Sequence, residues 1–242
     1  MKMTTGITDL ELTVLQGGTP NVYHAALLAD DDGLTLIDAG LPGMLGQIEE
    51  KIRAAGYNPD DVRRIVFTHQ DVDHIGALAQ LLERLPGVEI LVHADERPYL
   101  EGEQALIKMP AERLQSMPDG LRRLAEQMLA SLVPGRVTRV LQHGEELPLQ
   151  GGLRILHTPG HTPGHISLYV PGEKLLLAGD ALRVENGALA GPSEPYTPDM
   201  NQALRSLEQL AELEIDRVLC YHGGLYEGDV RGALQKITGV KS

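Results

Sequence analysis

Thr68-His69-Gln70-Asp71-Val72-Asp73-His74 is the stretch on which the reading of this chain turns. It packs four side chains able to bind a metal, His69, Asp71, Asp73 and His74, into six residues. The apolar run Ile65-Val66-Phe67 in front of it has the β-branched and aromatic content of a buried strand, expected over 64–67. Behind it, apolar residues at 75, 78, 81, 82 and 85 recur at helical spacing and predict a helix over 75–85. The cluster therefore sits on a strand-to-helix turn, where several side chains can aim at one point and helix N–H groups face into it. Imidazole nitrogen and carboxylate oxygen are donors that Zn, Fe and Mn accept. The plainer alternative is a polar turn whose His and Asp only cap the helix. That accounts for one such residue more easily than for four.

Working outward, 242 residues can bury a sizeable core as one large domain or two small ones. A net charge of −13 with no basic footprint speaks against nucleic acid as a partner. A single cysteine, Cys220, excludes an internal disulfide framework and fits a reducing, cytoplasmic setting. Residues 1–18 have no apolar core and are broken by Asp9 and Glu11, so no signal peptide is expected. No window approaches the ~20 apolar residues of a membrane span.

Residues 8–16 and 22–29 alternate or run apolar around Gly17-Gly18-Thr19-Pro20, predicting a strand pair. A third strand, Leu34–Ile37, ends in Asp38-Ala39-Gly40. Pro42 opens a helix expected to bury Leu45, Ile48 and Ile52 and to stop at Gly56. Val88–Val92 reads as a short strand closed by His93. Residues 95–133 carry no strand pattern, and Asp119 is placed to cap a helix burying Leu121, Leu124, Ala125, Met128, Leu129 and Leu132. A helical insertion over about 95–133 is thus expected within a single domain, 1–242. Its Met109, Met117 and Met128 either fill a small core of their own or line an adaptable lid, and the insertion is open equally to a homodimer contact. Strands follow at 137–141, 153–156, 166–170, 174–178 and 216–221, with helices at 199–213 and about 228–238. Helices outside two packed sheets is the economical architecture.

Three more strand ends repeat the first pattern. Leu153–Leu156 leads into His157-Thr158-Pro159-Gly160-His161, Lys174–Ala178 into Gly179-Asp180, and Arg217–Tyr221 into His222-Gly223-Gly224. Each presents a His or Asp from a glycine-containing turn, where the backbone can come close to whatever is bound. A turn former or helix cap explains any one of them better than a ligand does. Four in one chain make coincidence a poor explanation.

The order His-x-Asp-x-Asp-His, Thr-Pro-Gly-His, Gly-Asp and a strand-end His-Gly, spanning Asp38 to His222, resembles the metallo-β-lactamase-fold superfamily. That resemblance implies an α+β fold, a four-layer αββα sandwich, with a dinuclear metal site at one edge. Carried over, it makes His69, Asp71 and His161 ligands of one metal, Asp73, His74 and His222 ligands of the second, and Asp180 the bridging carboxylate. His165 and Asp38 fall at supporting positions, and His24, His93, His143 and His157 match no ligand position.

One position departs from the family's commoner His-x-His-x-Asp-His, since Asp71 stands where a second His is usual. Two divalent cations are the implied cofactor, Zn first. A carboxylate at 71 is a harder donor and shifts preference toward Fe or Mn. It also subtracts one charge: Asp71, Asp73, Asp180 and a bridging hydroxide would balance two dications. The implied reaction is hydrolysis of a small ester, thioester or lactone by hydroxide generated from water at the metals, with Asp73 orienting it and passing a proton to the leaving group. No Gly-x-Ser-x-Gly motif offers another nucleophile, and Cys220, two residues before His222 on an expected buried strand, is not read as one. Tyr196, in the Gly/Pro-rich loop 183–198, is the candidate substrate contact. The alternatives are an iron-dependent redox enzyme of persulfide-dioxygenase or di-iron type, and a non-catalytic metal-binding domain.

Overall fold

The computed structural model describes residues 1–4 and 6–239. The chain is mixed α+β and forms two compact units, Met1–Leu12 with Ala25–Val140, and Thr13–His24 with Leu141–Ser242.

The first unit is built on a sheet of β1 (Lys2–Thr4), β2 (Ile7–Gln16), β3 (Thr19–Asp30), β4 (Gly33–Ile37), β5 (Val62–Val66), β6 (Glu89–His93) and β7 (Arg139–Leu141), which lie in sequence order. The outer halves of the β2–β3 pair, residues 13–24, belong to the second unit. β3 and β4 are antiparallel, whereas β4, β5 and β6 run parallel, so β4 and β5 point the same way. Their C-terminal ends deliver Asp38 and Thr68–His74 to one edge, where open parallel sheets bind ligands. Helix α1 (Leu45–Ala54) starts after a turn at Leu41–Met44, later than Pro42 suggested, and buries Ile48 and Ile52 while Leu45 is half-buried.

The helix expected over 75–85 is two helices. α2 (Val72–Ile75) already contains Asp73 and His74, and α3 (Leu78–Arg84) follows after Gly76-Ala77. The Gly76 N–H donates to the Gly40 carbonyl at 2.9 Å. A Cβ on Gly76 would lie 2.3–2.5 Å from backbone atoms of Gly40, Leu41 and Pro42. This close approach pins the loop after β4 against the loop after β5. Periodicity sees the apolar face but not the contact that breaks the helix.

The segment 95–133 holds three helices joined by turns, α4 (Arg97–Leu100), α5 (Ala111–Gln115) and α6 (Asp119–Ala130), and no strand. Asp119 does not cap α6. The capping position is Pro118, and the Asp119 carboxylate instead accepts from Arg122 Nη2 at 2.7 Å one turn on. Met109, Ala125, Met128 and Leu132 are buried, whereas Leu121, Leu124 and Leu129 are half-buried.

In the second unit β8 (Glu146–Leu147), β9 (Leu153–His157), β10 (Ile166–Val170), β11 (Leu175–Gly179), β14 (Arg217–Cys220) and β15 (Gly224–Tyr226) form a sheet of order β15-β14-β11-β10-β9-β8. β12 (Arg183–Glu185) and β13 (Ala188–Ala190) make a separate hairpin. Leu156, Tyr169, Leu176, Val218 and Cys220 of the sheet pack against Leu207 of α7 (Met200–Glu208), Leu210 just after it, and Val230 and Leu234 of α8 (Val230–Thr238). Both helices are N-capped by aspartate: Asp199 accepts from the Gln202 N–H and Asp229 from the Gly232 N–H. The expected helix 199–213 tightens into a 3-10 turn at Gln209–Glu212. β1, β8, β12, β13 and β15, of two or three residues each, are too short for periodicity to register. Among the described residues no helix is long and apolar enough to cross a membrane.

Candidate metal centre

The donor loop of the first unit is held from beneath by Asp38. This residue has a left-handed backbone, φ +62°, unusual outside glycine and a mark of local strain. Its Oδ1 accepts from the Thr68 N–H at 2.8 Å, and its Oδ2 accepts from Thr68 Oγ1 and from His74 Nδ1, each at 2.8 Å. Because Nδ1 carries the proton, the neutral His74 ring has its lone pair on Nε2. The same logic passes through Thr68. Its hydroxyl hydrogen goes to Asp38, so the Thr68 oxygen accepts from His69 Nδ1 at 3.0 Å, and the His69 lone pair also falls on Nε2. Both rings are fully buried, with centroids 4.0 Å apart.

Asp71 sits at the N-cap of α2 but its side chain makes no capping bond, which removes the capping explanation for this residue. Its Oδ2 faces His69 Nε2 at 3.3 Å and accepts from Lys108 Nζ at 2.6 Å. Asp73, half-buried in the first turn of α2, offers a carboxylate oxygen within 4.8 Å of a ring nitrogen of His74.

In the second unit Asp180, just past β11, meets two histidines from the turns after β9 and β14. Its Oδ2 lies 3.3 Å from His161 Nε2 and 3.3 Å from His222 Nε2. His161 is 1% exposed, and its Nδ1 lies 3.3 Å from Thr197 Oγ1. Thr197 donates its own hydroxyl to the Ser193 carbonyl at 2.8 Å, so it accepts from His161 and leaves the lone pair on Nε2. His165 is a supporting residue. Its Nε2 accepts from the Asp180 N–H at 2.9 Å and its Nδ1 donates to Thr158 Oγ1 at 2.8 Å, so both ring nitrogens are committed. The His222 ring stands edge-on to Tyr23 and Tyr221. After it, Gly223 has φ +96° and a Cβ there would fall 2.1 Å from the Val184 carbonyl oxygen, so the strand-end turn tolerates only glycine.

Within each unit, then, an imidazole Nε2 lies 3.3 Å from a carboxylate oxygen. A charge-assisted N–H···O bond would be about 2.7–2.9 Å, and two acceptors at 3.3 Å repel unless a cation lies between them. Donors bound tetrahedrally at about 2.0–2.1 Å stand about 3.3–3.4 Å apart, so the donor set fits a metal of that bond length. The residues that orient each ring are the carboxylate and hydroxyl partners such sites use to fix tautomer and direction. Asp38→Asn keeps a side chain that tolerates the left-handed backbone but loses the anionic acceptor. It is expected to weaken metal binding about 10–100-fold with little change of fold, read by chelator competition.

The remaining sequence candidates separate cleanly. The Cys220 thiol is fully buried, and burial, with the Asp180 charge adding to it, pushes its pKa far up, so it is no nucleophile. Tyr196 is 54% exposed, and its neighbour Thr197 is the residue that reaches His161. His157 Nε2 bonds the Pro163 carbonyl, the His157 backbone N–H donates to His143 Nδ1, and His93 Nδ1 accepts from the Asp95 backbone N–H. Thr197 and Lys108 escaped the sequence reading because neither lies in a motif: they stand 36 and 37 residues from the groups they touch.

The comparisons agree with this chemistry. A family model described as the metallo-beta-lactamase superfamily matches residues 18–222. The chain is similar to a Bacillus subtilis (strain 168) protein named as the probable metallo-hydrolase YflN, 33% identical over 220 residues, covering 84% of this chain and 80% of that one. It is similar also to the hydroxyacylglutathione hydrolase GloC of Haemophilus influenzae, 30% identical over 161 residues and 66% of each chain. The solved structure of a metallo-beta-lactamase family protein from Thermus thermophilus superposes with a TM-score of 0.73 at 26% identity, over 98% of this chain and 79% of that one. The match of fold, motif order and family model over most of the length leaves one assignment: the chain belongs to the metallo-beta-lactamase superfamily.

Proposed function

We propose that this chain is a metal-dependent hydrolase of a small ester, thioester or lactone, in which His69, Asp71 and His161 hold one divalent cation, Asp73, His74 and His222 a second, and Asp180 serves both. The observation that carries it is the approach of imidazole nitrogens to carboxylate oxygens at 3.3 Å, His69 to Asp71 and both His161 and His222 to Asp180. Two bound dications would supply Lewis acidity and a water of lowered pKa. Zn is the first candidate, with Fe or Mn admitted by the harder Asp71 donor.

The chain's own contribution is to orient and to move protons. Asp38 and Thr68 fix the rings of His69 and His74, Thr197 fixes His161, and His165 fixes the Asp180 backbone, so that the donors are set before any substrate arrives. Asp73 is the acid/base: its carboxylate takes a proton from the attacking water and returns it to the leaving group. The thioester member of the substrate class gains support from the relative named as a hydroxyacylglutathione hydrolase. The lone, buried Cys220 accords with work in the cytoplasm.

Tyr196 is the proposed substrate contact, standing exposed next to Thr197. Tyr196→Ala is expected to raise KM with kcat little changed, the pattern of lost ground-state binding; a fall in kcat alone would remove it from that role.

Elemental analysis of protein purified without added metal, followed by a panel of thioesters, lactones, carboxylic esters and phosphodiesters, tests the whole reading. Zn or Mn with turnover of an acyl substrate supports it. Asp71 favours one second reading, iron-dependent redox chemistry, and predominantly Fe with oxygen consumption and no hydrolysis would put that reading in its place.

A further inference from the structure

The Lys108 ammonium lies 2.6 Å from Asp71 Oδ2, the very oxygen that faces His69 Nε2. The two side chains are only 13% and 10% exposed, so solvent and salt screen this pair far less than a surface one. Lys108 is also fastened on several sides. The Ile107 N–H donates to Gln70 Oε1 at 2.8 Å, and the Gln70 N–H and side-chain amide both donate to Glu96 Oε2, at 2.9 and 3.2 Å. Gln70 and Glu96 are fully buried. Arg113 Nη1 holds the Lys108 carbonyl at 2.8 Å, and Leu106 and Met109 are buried around it. The segment 106–109 and the donor loop are therefore one hydrogen-bonded piece, which keeps the ammonium within reach of Asp71 whatever else that carboxylate binds.

Charge explains what the pairing does. Asp71 brings a negative charge to a ligand position that an imidazole would leave neutral, and Lys108 cancels it. An ammonium and a dication sharing one carboxylate oxygen repel each other, so loading of metal must work against the lysine. Resting on the reading of Asp71 as a metal ligand, we propose that Lys108 is a built-in competing cation that lowers the affinity of this position for its metal and so sets its occupancy. Lys108 is then a positioning residue, acting through Asp71 rather than on substrate.

The test uses metal-depleted full-length protein titrated with Zn2+ and with Mn2+ against a chelator of known affinity, for wild type, Lys108→Met and Lys108→Gln. Both variants are expected to bind metal about tenfold more tightly than wild type. Both should also melt lower than wild type without metal and gain more on adding it. Unchanged or weaker binding in Lys108→Met overturns the proposal. Tighter binding in Lys108→Met with wild-type binding in Lys108→Gln would mean that a hydrogen bond and not the charge is at work, and overturns it too. A wild-type chain that binds neither ion fails at the earlier step, and takes the metal reading down with it.

Discussion

Asp180→Asn should lose at least about a thousandfold in kcat/KM and bind less metal per chain while remaining folded. The size follows from position. A single oxygen, Oδ2, faces both His161 and His222 at 3.3 Å, so removing its charge strips a donor from both proposed cations at once. Loss of one preorganised electrostatic partner in an active site already costs about 10²–10³ in rate, and here the lost group also holds the groups that supply the rest. The fold should survive, because the Asp180 contact to its surroundings that matters for β11 is its backbone N–H to His165, which asparagine keeps. Metal content, turnover and the urea midpoint together make the check. Full metal content with wild-type turnover would show that this carboxylate is not at the centre of the chemistry.

Asp73→Asn is expected to lower kcat by about 10²–10⁴-fold, the usual worth of a positioned acid/base. The expected signature lies in the leaving group. A substrate that departs as a stable anion needs no proton, so the variant should lose far less on an aryl ester than on an alkyl ester or lactone. An equal loss on both would assign Asp73 to holding metal alone. Its setting suits proton transfer: it stands half-buried in the first turn of the short α2, which ends only two residues later at Ile75, so its carboxylate keeps access to water.

Much of this was legible in the chain itself because the signals are local. Apolar runs handing over to polar turns mark the strands that lead to His69, His161, Asp180 and His222, and the order of those motifs is what resembles the family. Where elements were misread, the cause was a contact with a remote segment or a claim by a neighbour. Gly76 breaks the expected helix because it touches Gly40–Pro42, and Asp119 leaves the capping position because Pro118 already holds it while Arg122 claims its carboxylate.

By itself the sequence determined which donor atoms exist, that they follow strands, and that an aspartate stands at 71. Only the tertiary structure decided which way each ring points and what charge it meets. Asp38 holds the proton of His74 on Nδ1 across 36 residues, Thr197 does the same for His161 across 36, and Lys108 reaches Asp71 across 37. Tautomer and charge pairing depend on distances of about 3 Å between groups that the chain separates by whole elements, and no local pattern encodes them.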